Sequence, residues 1–227
     1  MKQKNKIADY IRQSQTKILV ERVQHSVTPE VDMYIKDSLP DNFNLPFVIG
    51  MIEKHIPERF FYGIDGIYVG QFEEFAKKKV NAFFQDGTVY VTNNQRDEED
   101  MIDDIIHEIA HNVEETLTDQ IYADNNIERE FIGKRKKLFY ILKEEGYNVS
   151  LEDFLSLHYS TEFDILLYET IGYPKLQALT MDLFLTPYSI TSLREYFATG
   201  FTQYYYGSQQ EWLRSGCPYL FMKLRDL

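Results

Sequence analysis

The chain has a single cysteine, Cys217, so no internal disulfide can form and nothing demands an oxidising compartment. It lacks any run approaching the roughly 18 apolar residues of a membrane span. Its N-terminus, MKQKNKIADYIRQSQTKILVERV, starts basic but has no apolar stretch of about 7–15 residues before a small-residue cleavage site, so it is not a secretory signal peptide. These absences point to a cytoplasmic protein with no membrane partner, export by a route without a sequence motif staying open. Positive charge is also scarce: 24 Lys+Arg stand against 36 Asp+Glu, a formal net charge of -12, with a pI near 4.9. A phosphate-backbone binder needs a basic stripe to release counterions, so nucleic acid is not an expected partner. No internal repeat or low-complexity tract is present.

What the chain has is aromatic surface. Sixteen Phe and 17 Tyr among 227 residues argue for a packed core rather than a disordered chain. The length suits one large domain, or one domain with a small annex.

Residues 1–57 read as a helical annex. An amphipathic helix is expected from about Lys4 to Val23, with Ile7, Ile11, Ile18 and Val20 on its apolar side. Thr28-Pro29-Glu30 resembles a helix start, and LPFVIGMIEKHIP predicts a further helix ended by Pro57. From Arg59 the pattern changes to short strands between Gly63, Gly66 and Gly70. In VNAFFQDGTVYVTN, Asp86-Gly87 between two apolar runs signals a hairpin, with strands near 80–84 and 88–92. Acidic residues 97–100 then open a helix, and beyond about Thr118 the chain is mostly helical.

His107-Glu108-Ile109-Ala110-His111 is an H-E-x-x-H within that helix. At about 100° per residue the two histidines lie about 40° apart on one face, where both imidazoles can reach one metal ion. Glu108 is too far round to be a third ligand but close enough to act as general base. Ile102, Ile105, Ile106, Ile109, Val113 and Leu117 form an apolar stripe opposite the histidines, while Asp100, Asp103, Asp104 and Glu114 share the histidine face. A solvated pair of histidines on an acidic face is the bland alternative.

A catalytic zinc takes three protein ligands and keeps one position open. Glu114 and Leu117 stand where the metzincin pattern has its Gly and its third ligand, which excludes that class. Glu115 is about 12 Å along the helix from His107, too far to converge. Glu128 and Glu130 follow His111 by 17 and 19 residues, and Glu195 follows it by 84. Leu193, Phe197, Phe201 and Tyr204 form one side of the segment SLREYFATGFTQYY, so Glu195, Thr199 and Thr202 face the other way. Glu195 is preferred, with Glu130 as the second candidate.

HEIAH after an acidic turn and the hairpin FFQDGTVYVT, followed by PYSITSLREYFATGF, resembles the catalytic domain of anthrax lethal factor and the related Pro-Pro endopeptidases. In that family a Tyr stands seven residues before the ligating Glu, which opens E-[FY]-F-A; here these are Tyr188 and Glu195-Tyr196-Phe197-Ala198. The resemblance covers about 75–115 and 185–206. It implies zinc on His107, His111 and Glu195, Glu108 as base and Tyr188 as donor to the oxyanion. The fold it implies is α+β and zincin-like: a small mixed sheet over the active-site helix within a catalytic domain at 58–227. The family often has an acid four residues after the ligating Glu, whereas this chain has Thr199. The interval between the second His and that Glu is also longer, making 118–185 a helical insert that the resemblance does not explain.

The implied activity is zinc-dependent endopeptidase action on a polypeptide substrate, which would pair with Thr88–Thr92 as a sheet edge. A catalytically silent zincin-fold binding module and an acidic interaction protein are the rivals. Weaker signals are His25, His55 and His158, which lack motif partners, and Tyr204-Tyr205-Tyr206 with Trp212, which suit the inner side of C-terminal helices. The KRKK run at 134–137 reads as a solvated helix face.

Overall fold

The computed structural model describes residues 23–78 and 80–227. The helix expected from Lys4 lies outside these residues, except for Val23, which begins a strand. The fold is α+β, with a small mixed sheet and a mostly helical remainder. Among the described residues no helix is long and apolar enough to cross a membrane.

The chain divides into two compact units. The first comprises residues up to Glu53 with Ile64–Asp104; the second comprises Lys54–Gly63 with Ile105–Leu227. The boundary expected at 57/58 therefore does not separate an annex from the rest, because strands on either side of it share one sheet.

That sheet lies in the first unit and has five strands: β1 (Val23–Ser26), β2 (Asp32–Ile35), β3 (Gly66–Val69), β4 (Ala82–Gln85) and β5 (Thr88–Val91), in the order β1-β2-β3-β5-β4. β1 and β4 are antiparallel to their neighbours, and β2, β3 and β5 run parallel. The helix expected to begin at Thr28-Pro29-Glu30 is instead the turn of the β1–β2 hairpin. The Thr28 hydroxyl accepts hydrogen bonds from the backbone N–H groups of Glu30 and Val31, a local side-chain turn that competes with helix initiation. The sheet's two faces follow from period-2 alternation. Met33, Ile67 and Val89 are fully buried at matched register positions, while Tyr34, Tyr68, Tyr90 and Phe83 stack in a ladder across β2, β3, β5 and β4.

The hairpin at Asp86-Gly87 forms as expected, both residues having positive φ (50° and 75°). The expected substrate-pairing edge does not. β5 is interior, hydrogen-bonded to β3 on one side and β4 on the other, and β4 holds the outer position. A hairpin motif says that two strands pair, but not which of them continues into the sheet. Also in this unit are most of α1 (Leu45–His55), which buries Leu45, Val48, Ile49 and Ile52, and the short helix α2 (Glu73–Lys78).

Helix α3 (Glu98–Thr116) starts in the first unit and continues into the second. Its acidic start is structural. Asp97 accepts from the Asp100 N–H at 2.9 Å, Glu98 accepts from the Asn44 N–H at 2.6 Å, and Asp100 pairs with Arg96.

The second unit adds α4 (Thr118–Tyr122), α5 (Asn126–Glu144), α6 (Thr161–Ile165), a π-helical segment (Leu166–Ile171) and α7 (Tyr173–Thr180). After the 3-10 turn Tyr188–Ile190 come α8 (Leu193–Tyr205), α9 (Gln210–Gly216) and α10 (Pro218–Asp226). Its core is aromatic: Phe131 packs on Phe184 and Tyr196, and Phe60 on Phe201 and Tyr205. Tyr204 and Tyr205 pack on Phe221 and Phe201, and Tyr206 meets His55 edge-on.

Half of the KRKK run is not solvated. Lys134 is 6% exposed and Arg135 is fully buried. The Lys134 ammonium donates to the carbonyls of Leu183 (2.5 Å) and Gly216 (2.6 Å), the latter at the C-terminal end of α9. Arg135 donates to the carbonyls of Asp153 and Ser156, with its guanidinium over the Phe163 ring. Buried cations are tolerated here because unpaired backbone carbonyls accept from them.

Candidate metal centre

Helix α3 places His107 and His111 one turn apart, their rings 5.0 Å between centroids and nearly perpendicular. The isoleucine stripe anchors the helix, with Ile105, Ile106, Ile109 and Val113 fully buried. The opposite face is not in water either: His111, Glu108 and Glu114 are 6%, 7% and 9% exposed. Asn112, beside His111, donates to the carbonyls of Phe60 (3.0 Å) and Tyr62 (2.9 Å), fixing the loop that precedes Gly63.

Helix α8 brings the third group. Ser192 caps it, its hydroxyl accepting from the Glu195 N–H at 3.2 Å. Ser192-Leu193-Arg194-Glu195 has the capping-box pattern. The Glu195 carboxylate, however, is directed at the histidines. Its Oε2 lies 2.9 Å from His107 Nε2 and its Oε1 lies 3.6 Å from His111 Nε2.

Glu130 is placed elsewhere. Its carboxylate accepts from the Tyr196 hydroxyl (2.8 Å) and from the N–H groups of Tyr219 (2.9 Å) and Leu220 (3.3 Å), so it caps the start of α10.

Two imidazoles and a carboxylate suit zinc. Donors bound to one tetrahedral ion at about 2.0–2.1 Å stand about 3.3 Å from one another. The two separations to Glu195, 2.9 and 3.6 Å, bracket that edge length. His107, Glu108 and His111 also offer donor atoms within 4.8 Å of one another. By distance alone, Glu108 could serve as the acid. Glu195 is better placed than Glu108 to act as a third donor, because its two oxygens approach both ring Nε2 atoms. Burial, reinforced by the charges of His107 and Arg194, holds His111 well below the ordinary histidine pKa, and only a neutral imidazole can bind a metal.

Tyr188 opens the 3-10 turn ahead of α8, its ring centroid 6.5 Å from that of His107. The Thr191 hydroxyl and N–H both bond to the Tyr188 carbonyl, holding the turn. The residue is partly exposed overall, but desolvation of its phenol, then the negative charges of Glu195 and Glu108, raise the phenol above its ordinary pKa, so it stays protonated and able to donate. The region read as an insert takes part in this placement: the Leu193 N–H, at the start of α8, donates to the Leu157 carbonyl at 2.9 Å.

Residues that motif reading did not assign also gather here. Glu114 accepts from the Tyr122 hydroxyl at 2.6 Å, and Arg194 reaches Glu115 at 3.0 Å. The only sequence signal for Glu114 was its place on the histidine face. No family model, curated protein or solved structure matches this chain.

Proposed function

We propose that the protein is a zinc metalloendopeptidase of the Glu-ligated zincin type, similar in its centre to the catalytic domain of anthrax lethal factor and the Pro-Pro endopeptidases. One observation carries this reading: a carboxylate 84 positions beyond the H-E-x-x-H arrives within 2.9 and 3.6 Å of its two imidazoles, in a partly buried setting. His107, His111 and Glu195 would hold the ion. When bound, zinc supplies Lewis acidity, which activates water near neutral pH and polarises a carbonyl oxygen.

The chain's own groups account for the remaining steps. Glu108, buried next to His107, takes the proton from the attacking water and returns it to the leaving amine. Protonated Tyr188 donates a hydrogen bond to the carbonyl oxygen as it gains charge. The buried, carboxylate-bearing Glu108 favours this reading over a silent binding module, which has no use for a base at that position.

Metal analysis and a peptide-library digest test the proposal. Purified protein should hold about one zinc per chain, lost in His111→Ala and Glu195→Ala but kept in Glu108→Gln. Glu108→Gln should lower cleavage by about 10²–10⁴-fold. Equal cleavage by wild type and Glu108→Gln would refute peptidase activity, and zinc lost in Glu130→Ala but kept in Glu195→Ala would reassign the third ligand.

A further inference from the structure

We propose that Glu114 is the positioning residue of this centre. It receives the Nδ1–H of His111 and, through Arg194, ties the histidine helix to the helix that carries Glu195. The inference rests on the zinc reading above. Among the described residues, two buried polar atoms in this neighbourhood have no hydrogen-bond partner, and they face each other: His111 Nδ1 and Glu114 Oε2, 4.0 Å apart one helical turn along α3. Burying both without a hydrogen bond is costly. Metal binding provides the reason for the arrangement. A metal on Nε2 forces the remaining imidazole proton onto Nδ1, turning that atom into an obligatory donor, and the nearest unsatisfied acceptor is Glu114 Oε2. A shift of about 1 Å, within reach of a carboxylate's torsional freedom, completes the hydrogen bond.

The rest of Glu114's surroundings suit this role. Its other oxygen is held by the Tyr122 hydroxyl at 2.6 Å, which anchors that end of the carboxylate while Oε2 can turn toward His111. Arg194 Nη1 lies 3.8 Å from Oε2 and 3.0 Å from Glu115 Oε1, and Arg194 immediately precedes Glu195. One buried acid therefore touches the surroundings of both helices that supply donors. Thr199, one turn after Glu195, is buried but cannot serve as such an acid.

Zinc affinity, measured by competition with a chromophoric chelator, tests the proposal in wild type, Glu114→Gln, Glu114→Met and Tyr122→Phe. Glu114→Met should weaken zinc binding by about 10–100-fold, and Glu114→Gln, whose amide oxygen still accepts, by less. In zinc-loaded wild type the His111 Nδ1–H should give a slowly exchanging, downfield proton resonance that moves upfield in Glu114→Gln. A purely structural Glu114 would change the urea midpoint of the metal-free protein while leaving both zinc affinity and that resonance unaltered. Unchanged affinity in Glu114→Met and Glu114→Gln overturns the proposal. If Glu114→Met does not fold, an unchanged affinity and resonance in Glu114→Gln overturn it alone. Failure of wild type to bind zinc overturns the centre itself, and with it this inference, so the two failures are told apart by the wild-type titration.

Discussion

Gly200→Ala in helix α8 opposes two effects of known size. In an exposed helix, replacing Gly by Ala is favourable by about 0.8–1 kcal/mol. At Gly200 the new Cβ would lie 2.3 Å from Leu220 Cδ2 and 3.0 Å from its Cγ. Carbon atoms in contact sit at about 3.5–4.0 Å, so the Leu220 side chain must move by more than about 1 Å. Leu220 is fully buried, and close-packed interiors leave no room for that displacement. Overpacking costs about 1–3 kcal/mol, and a clash involving two carbons belongs at the upper end. Set against the helical gain, the net expectation is a loss of about 1–2 kcal/mol. Urea unfolding of the metal-free protein measures it as a lower midpoint with unchanged slope. Adding Leu220→Ala should give a combined loss smaller than the sum of the two single losses, because the second change removes the atoms that clash. Since Gly200 is on the helix that carries Glu195, under the zinc reading Gly200→Ala should also weaken zinc binding. A Gly200→Ala protein as stable as wild type, or strict additivity with Leu220→Ala, would refute the close approach of α8 and α10.

Asn112→Ala removes two hydrogen bonds to the carbonyls of Phe60 and Tyr62, and should cost about 1–3 kcal/mol in the same unfolding assay; a smaller loss would mean the loop before Gly63 is held by other contacts. Under the zinc-peptidase reading, Tyr188→Phe should keep zinc and lose about 10²–10³-fold in kcat/KM, and retention of full activity would remove the oxyanion role from Tyr188. Metal-free protein should lose stability as pH falls below about 6.5. Buried His111 stays neutral in the native state while its unfolded counterpart takes up a proton there, giving at most about 1.4 kcal/mol per pH unit. His111→Gln should flatten that part of the profile, and an identical profile in the variant would show that His111 is not buried neutral.

The side chains that gather around His107 and His111 could be picked out in the sequence because local patterns place them. The H-E-x-x-H lies on a helix with an apolar stripe, and both properties are periodic. Ser192-x-x-Glu195 marks a helix start that orients Glu195, although spacing alone could not decide between Glu195 and Glu130. Where each carboxylate lies depends on α10, whose first N–H groups occupy Glu130. The β1–β2 hairpin was missed because Thr-Pro-Glu suits both a helix start and a turn. A better signal was present: Met33-Tyr34-Ile35, Ile67-Tyr68-Val69 and Val89-Tyr90-Val91 repeat one apolar-Tyr-apolar triplet, and the three become adjacent strands in register. The order of strands and the burial of Lys134 and Arg135 depend on partners far along the chain, which no local window contains.

The interval of 84 residues between His111 and Glu195 also has a consequence in time. At about 5–20 residues per second, synthesis separates them by roughly 4–17 s. During that interval a growing chain carries both imidazoles and the neighbouring Glu108 without the carboxylate that approaches them in the finished fold. Under the zinc reading, a nascent or truncated chain would hold the metal weakly, so the late arrival of α8 delays assembly of the centre until that helix has been made.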